Sequence, residues 1–226
     1  YRRFVKRTVE GRRIDLSPEE AELFEAMRQY RRVLWAMAQR ADESDGLQRQ
    51  AIQFLISVLT KRLLSSTWAF ARTWWQHVEG WYGEKADFQD VQIAVEQAQI
   101  PLLDEEEVSS RELSAARQAG AWLRNVTQHQ SPIERVSEAL RALGWTQEQA
   151  ERGVLDGEAP PDAKWDEFLR LVDEKLRNEH GGLRDDERLI VFAEYKDTVD
   201  YLMWRMRTIG LDSPAVQMLF GGCSDK

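Results

Sequence analysis

Apolar residues recur at spacings of three and four through most of this chain, and the stretches that carry them open on residues able to cap a helix. That pairing restricts most of the sequence to packed amphipathic helices. Ser17 precedes Pro18, which suits a first helical position, and Glu20 completes a capping box. The helix they predict runs to about Ala41, with Leu23, Phe24, Met27, Tyr30, Leu34 and Met37 on one face. A second is predicted over about Leu47 to Leu64, with Ile52, Leu55, Ile56, Leu59 and Leu63 aligned. Ser65 or Ser66 then caps a third, Thr67 to about Glu79, which Gly80 is expected to stop.

From Lys85 to Val108 the chain turns acidic, and periodicity weakens around Asp104-Glu105-Glu106-Glu107 after Pro101, so a partly mobile acidic loop is expected near 101–108. Helices resume from about Ser109 to Gln128 and from Pro132 to Leu143, the latter closed by Gly144. Asp156-Gly157-Glu158-Ala159-Pro160-Pro161 reads as a linker, which divides the chain into a helical part, 1–160, and a second part, 161–226. In the second part Asp162 caps a helix with Trp165, Phe168, Leu169, Val172 and Leu176 expected to face inward, ending at Gly181-Gly182. Leu189-Ile190-Val191-Phe192 is a continuous apolar run of the kind found in buried parallel strands. An amphipathic helix from Lys196 to Gly210, with Val199, Leu202, Met203 and Met206 on one side, and a second apolar run, Ala215 to Phe220, complete a predicted parallel βαβ unit. The fold class expected is therefore mainly α: a helical bundle-like connector followed by a truncated α/β segment.

Composition narrows the function. With 31 basic and 39 acidic residues the net charge is −8, so contact with nucleic acid has to be local. A single cysteine, Cys223, excludes an internal disulfide, and no apolar run reaches membrane-spanning length; a cytoplasmic chain with no membrane partner is the expectation. Tyr1 opens the chain in a basic stretch (Arg2, Arg3, Lys6, Arg7, Arg12, Arg13), as expected for a piece of a longer protein. His77, His129 and His180 are scattered, which speaks against a zinc site. The group Trp68, Trp74, Trp75 and Trp81, beside Lys61, Arg62 and Arg72, has the composition of a base-stacking surface, but its helical spacing among Phe70 and Ala71 reads as core.

Three segments, in order, resemble bacterial Swi/Snf-related superfamily-two DNA helicases and translocases. Lys6-Arg7-Thr8 with Arg13-Ile14-Asp15-Leu16-Ser17-Pro18-Glu19-Glu20 is similar to the strand and helix start that follow the first motor lobe of that family. Thr60-Lys61-Arg62-Leu63-Leu64-Ser65-Ser66 with Ala69 is similar to a Lys-Arg-Leu-x-Ser-Ser signature of the inter-lobe helices. Asp186 through Thr198, then Tyr201-Leu202, resembles helicase motif IV, where the first strand of the second lobe enters its first helix; Gly221-Gly222 stands where the family's next strand ends. The stretch from about Gly83 to Asp156 has no counterpart in this resemblance.

The resemblance implies a RecA-like second lobe, a parent that uses ATP and Mg²⁺, and double-stranded DNA and the remaining helicase lobes as partners. By analogy the nucleic-acid-binding candidates are Tyr195, Lys196, Gly221, Gly222, Lys61 and Arg62, since a helix start and a glycine turn both offer N–H groups to phosphate. No Gly-x-x-x-x-Gly-Lys-Ser/Thr loop occurs, Asp104–Glu107 lacks a preceding apolar strand, and no arginine-finger motif is present. Neither catalytic residues nor a bound cofactor are therefore expected of this segment itself. An open strand at Leu189–Phe192 is also expected to promote self-association. The competing reading is a helical protein–protein interaction module with no motor role. A small nucleotide-binding α/β enzyme is disfavoured because no glycine-rich loop follows Phe192.

Overall fold

The computed structural model describes residues 9–40, 46–101, 104–127, 130–184 and 186–219. The helices are α1 Pro18–Arg40, α2 Gly46–Ser65, α3 Thr67–Tyr82, α4 Phe88–Ala98, α5 Glu105–Val126, α6 Gln130–Ala142, α7 Gln147–Arg152, α8 Ala163–Leu176 and α9 Lys196–Thr208. No helix among the described residues is long and apolar enough to cross a membrane.

The caps explain most of these boundaries. Ser17 Oγ accepts from Glu20 N at 3.1 Å while Glu20 Oε2 accepts from Ser17 N at 2.8 Å, the reciprocal box that starts α1. Ser66 is extended and its Oγ accepts from Ala69 N at 3.1 Å, which breaks α2 from α3 without an intervening loop. Asp87 and Thr146 form capping boxes for α4 and α7, and Gly153, with φ of 63°, ends α7. Asp104 caps α5 by accepting from Glu106 N at 2.9 Å. The acidic loop expected near 101–108 is thus corrected: Glu105, Glu106 and Glu107 form the first turn of a helix, where negative charge is favoured by the exposed N–H groups.

Helix α3 lies at the centre, against α2, α5, α6, α7 and α9, while α1 packs on α2 and α6, and α4 on α2 and α5. Trp68, Trp74, Trp75 and Trp81 are buried, so the tryptophan group is core. Trp74 Nε1 donates to Ser137 Oγ at 3.0 Å and Trp75 Nε1 to the Trp145 carbonyl at 3.3 Å, so these two buried indole N–H groups find acceptors. Gly80 does not stop α3; it lies inside the helix, where a Cβ would stand 1.9 Å from the Arg117 carbonyl oxygen. Gly120 meets α3 in the same way, 2.1 Å from the His77 carbonyl oxygen. Two glycines facing each other's backbones let α3 and α5 approach more closely than any side chain allows.

Beside this contact His77 is wholly buried. Its Nδ1 lies 2.9 Å from the Ala116 carbonyl, which can only accept, so the proton sits on Nδ1. Nε2 then accepts from Tyr30 Oη at 2.6 Å. Burial pushes the imidazole down to about 4 and the Tyr30 phenol upward.

The C-terminal part departs from expectation. Among the described residues no strand forms: Leu189–Phe192 is irregular, with Ile190 74% and Phe192 91% exposed, and the described part of Ala215–Phe220 is also irregular. The predicted βαβ unit does not form among the described residues, where a parallel strand would need a neighbour to bond its N–H and C=O groups and Leu189–Phe192 has none. Helix α8 stops at Leu176 and not at Gly181-Gly182; a turn closed by Asn178 N to Gly182 O at 2.8 Å follows it. Of the five residues expected to face inward on α8, only Trp165 and Val172 are buried. In α9 the expected apolar side is only half-buried, and Asp197, Thr198, Tyr201 and Arg205 turn inward instead.

Gly80→Ala and Gly120→Ala are each expected to lower stability by about 3 kcal/mol through overpacking, measured by urea denaturation. His77 generates a pH effect. Unfolded imidazole takes a proton near its ordinary 6.5 and the folded one only near 4, so stability falls as pH drops through that interval, by on the order of 3 kcal/mol in all. His77→Gln is expected to flatten the slope there by about one proton.

Candidate functional site

Two of the sequence segments that carry the family resemblance meet in space, where α9 crosses the junction of α2 and α3. Arg62, on the last turn of α2, is 0% exposed and Asp197, in the first turn of α9, is 4% exposed. Arg62 Nη1 donates to Asp197 Oδ2 at 2.6 Å, and its Nη2 donates to Glu112 Oε2 at 2.8 Å and Ser109 Oγ at 3.0 Å, both on α5. From α3, Arg72 donates to the second oxygen of Asp197, and Ser109 Oγ donates to the first at 3.2 Å. One carboxylate is therefore held by two guanidinium groups and a hydroxyl drawn from α2, α3 and α5. Thr198, the next residue, lies 2.7 Å from Ser65 Oγ and 3.0 Å from Ser66 Oγ. The ring of Tyr195 covers the cluster, with the Arg62 guanidinium 4.6 Å from its centroid.

Farther along α9, Tyr201 Oη donates to Asp162 Oδ2 at 2.8 Å, while Asp162 Oδ1 accepts from Trp165 N at 2.8 Å to cap α8. Glu20 does the same double service: besides its place in the α1 capping box, its Oε1 accepts from Ala163 N at 3.0 Å. Arg205 Nη1 donates to the Pro160 carbonyl. Lys164 Nζ donates to the carbonyls of Leu64 and Ser65, satisfying the C-terminus of α2; burial lowers its pKa. The phenols of Tyr195 and Tyr201 are both raised, chiefly by burial.

Beside this junction lies a cleft of about 450 Å³, between α8, α9 and residues 191–194, with Leu64, Trp165, Phe168, Phe192 and Leu202 among its walls.

The sequence-derived candidates divide accordingly. Lys61 is at the surface, 2.6 Å from Glu194, and Lys196 is 2.8 Å from Asp200; each carboxylate raises its lysine's pKa. Arg62 and Tyr195 are buried in the junction, so neither side chain presents itself to a phosphate in this arrangement. Gly221 and Gly222 lie outside the described residues, as do Lys6, Arg7 and Thr8. In the basic stretch, Arg12 is paired with Glu167 and Glu174 of α8, and Arg13 with Asp15. Sequence reasoning gave no part in this junction to Arg72, Ser109, Glu112 or Asp162, although it placed Asp162 as the cap of α8. A signal was present for the centre of the cluster: Arg62 continues the inward stripe of Leu55 and Leu59 at helical spacing, and an arginine on an apolar face needs a buried acid.

No protein-family model matches this chain, no curated protein matches it, and no solved structure matches it.

Replacing Arg62 by Ala would take from Glu112 the guanidinium that holds it and leave Asp197 to Arg72 and Ser109, and is expected to cost about 3–5 kcal/mol. Equilibrium unfolding in urea measures it.

Proposed function

We propose that this chain is the helical inter-lobe connector and the opening of the second motor lobe of a Swi/Snf-related, ATP-dependent translocase acting on double-stranded DNA. One observation carries the reading. The Lys61–Ser66 segment and the Glu194–Thr198 segment, each similar to a family motif, are bonded through Arg62–Asp197 across 135 positions of sequence and through Ser65–Thr198 across 133. Motif residues that meet as complementary partners are unlike chance matches, which have no reason to touch. The exposed run Ile190–Phe192 also fits: it has the composition of a strand buried on both faces and leads directly into α9, as the first strand of a RecA-like lobe leads into its first helix. ATP and Mg²⁺ belong to the parent's nucleotide site, for which this sequence holds no P-loop.

In this reading the DNA-facing cations of the segment are Lys61 and Lys196, which contact phosphates by exchanging Glu194 and Asp200 for the backbone. The second reading, a helical interaction module, rests on the apolar side chains left at the surface, Ile190, Val191, Phe192 and Leu64.

The readings separate in one set of assays. The 226-residue chain alone is expected to turn over no ATP above buffer. A protein that also carries the P-loop lobe and the rest of the second lobe is expected to hydrolyse ATP on duplex DNA. There, Lys61→Gln with Lys196→Gln should weaken duplex binding about tenfold and reduce the salt slope by up to ~2. An open reading frame with no P-loop upstream, or ATP turnover by the isolated chain, overturns the motor reading.

A further inference from the structure

Helix α9 has two faces of opposite chemistry, and the polar one is the one packed inward. Asp197, Thr198, Tyr201 and Arg205 are buried against the helical body, whereas Val199, Leu202, Met203 and Met206 remain half-exposed on the other side. A helix docked only by apolar contact can slide by a turn; one docked by directional bonds at both ends cannot. At its N-terminal end, Asp197 and Thr198 bond to α2, α3, α5 and Ser66. At mid-helix and toward its C-terminal end, Tyr201 bonds to Asp162 and Arg205 to Pro160, with Tyr201 packed edge-on against Trp145 at 5.9 Å. Upstream, residues 9–17 have no regular secondary structure, and the Arg12 pairs with α8 lie toward solvent.

We propose that Asp197 and Thr198 lock α9 into the helical body as one rigid unit, so that the inter-lobe helices travel with the second motor lobe. The rigid unit stands on the geometry alone; the assignment to a moving lobe rests on the motor reading above. Asp197 and Thr198 are positioning residues in this scheme and touch no substrate.

Hydrogen exchange read by mass spectrometry on the complete 226-residue chain tests the lock without ATP or DNA. Amides of α9 are expected to exchange as slowly as those of α3. Asp197→Asn and Thr198→Val, both close in shape to the native residue, should each accelerate α9 about tenfold or more while α1, α3 and α5 keep their rates. Should Asp197→Asn unfold the whole chain, the milder Thr198→Val decides. Exchange of α9 in the native chain as fast as that of residues 186–193 overturns the proposal, and so does a Thr198→Val profile identical to the native one. Neither result depends on whether the parent is a translocase. Failure of the ATP and DNA assays would count against that reading and leave the lock standing.

Discussion

A guanidinium cannot be taken out of water alone, and the arrangement of the C-terminal third follows from that constraint on Arg62. Moving such a charge inside costs several kcal/mol unless acids and hydroxyls surround it. Glu112 and Ser109 come from α5 and Asp197 from α9, so satisfying one side chain brings three helices to a common point. Arg72 then balances the second oxygen of Asp197 from α3. Apolar packing by itself does not choose among neighbouring registers of α9. Bonds of fixed direction to a single carboxylate do.

The same economy recurs at the helix ends. Glu20 and Asp162 each close a helix N-terminus through one oxygen and reach a different element through the other. The start of α8 is therefore tied to both α1 and α9, although the chain between α7 and α8 has the glycine and proline content of a linker. Lys164 adds a third tie by bonding the last carbonyls of α2. Polar groups that would otherwise be orphaned at helix termini become the joints of the tertiary structure.

Helix existence was largely legible in the sequence because caps and apolar stripes act over a few residues. Ser17, Ser66 and Asp162 each start a helix where their position implies, and the tryptophans of α3 are core, as their spacing indicates. Gly80 misled, since a glycine that ends a helix and one that admits a neighbouring helix have the same local pattern; only the Arg117 carbonyl 1.9 Å from its missing Cβ distinguishes them. The acidic run after Pro101 misled in a similar way, its charges being as suited to a helix start as to a solvated loop. At the candidate site the two halves were legible as motifs, Lys61–Ser66 and Glu194–Thr198, but their contact was not, and Ser109 and Glu112 lie in a stretch with no motif at all.

Local sequence was enough for seven of the nine helices found among the described residues, α4 and α7 excepted, and for the apolar faces of α1, α2 and α3, because these depend on torsional preference, capping and periodicity within a few turns. Long-range packing made Arg62 an internal ion-pair partner, docked α9 by its polar face and left Leu189–Phe192 without a strand. Each of those outcomes depends on groups distant along the chain. A strand exists only if a neighbour bonds it, and a charge is buried only if a counter-charge arrives.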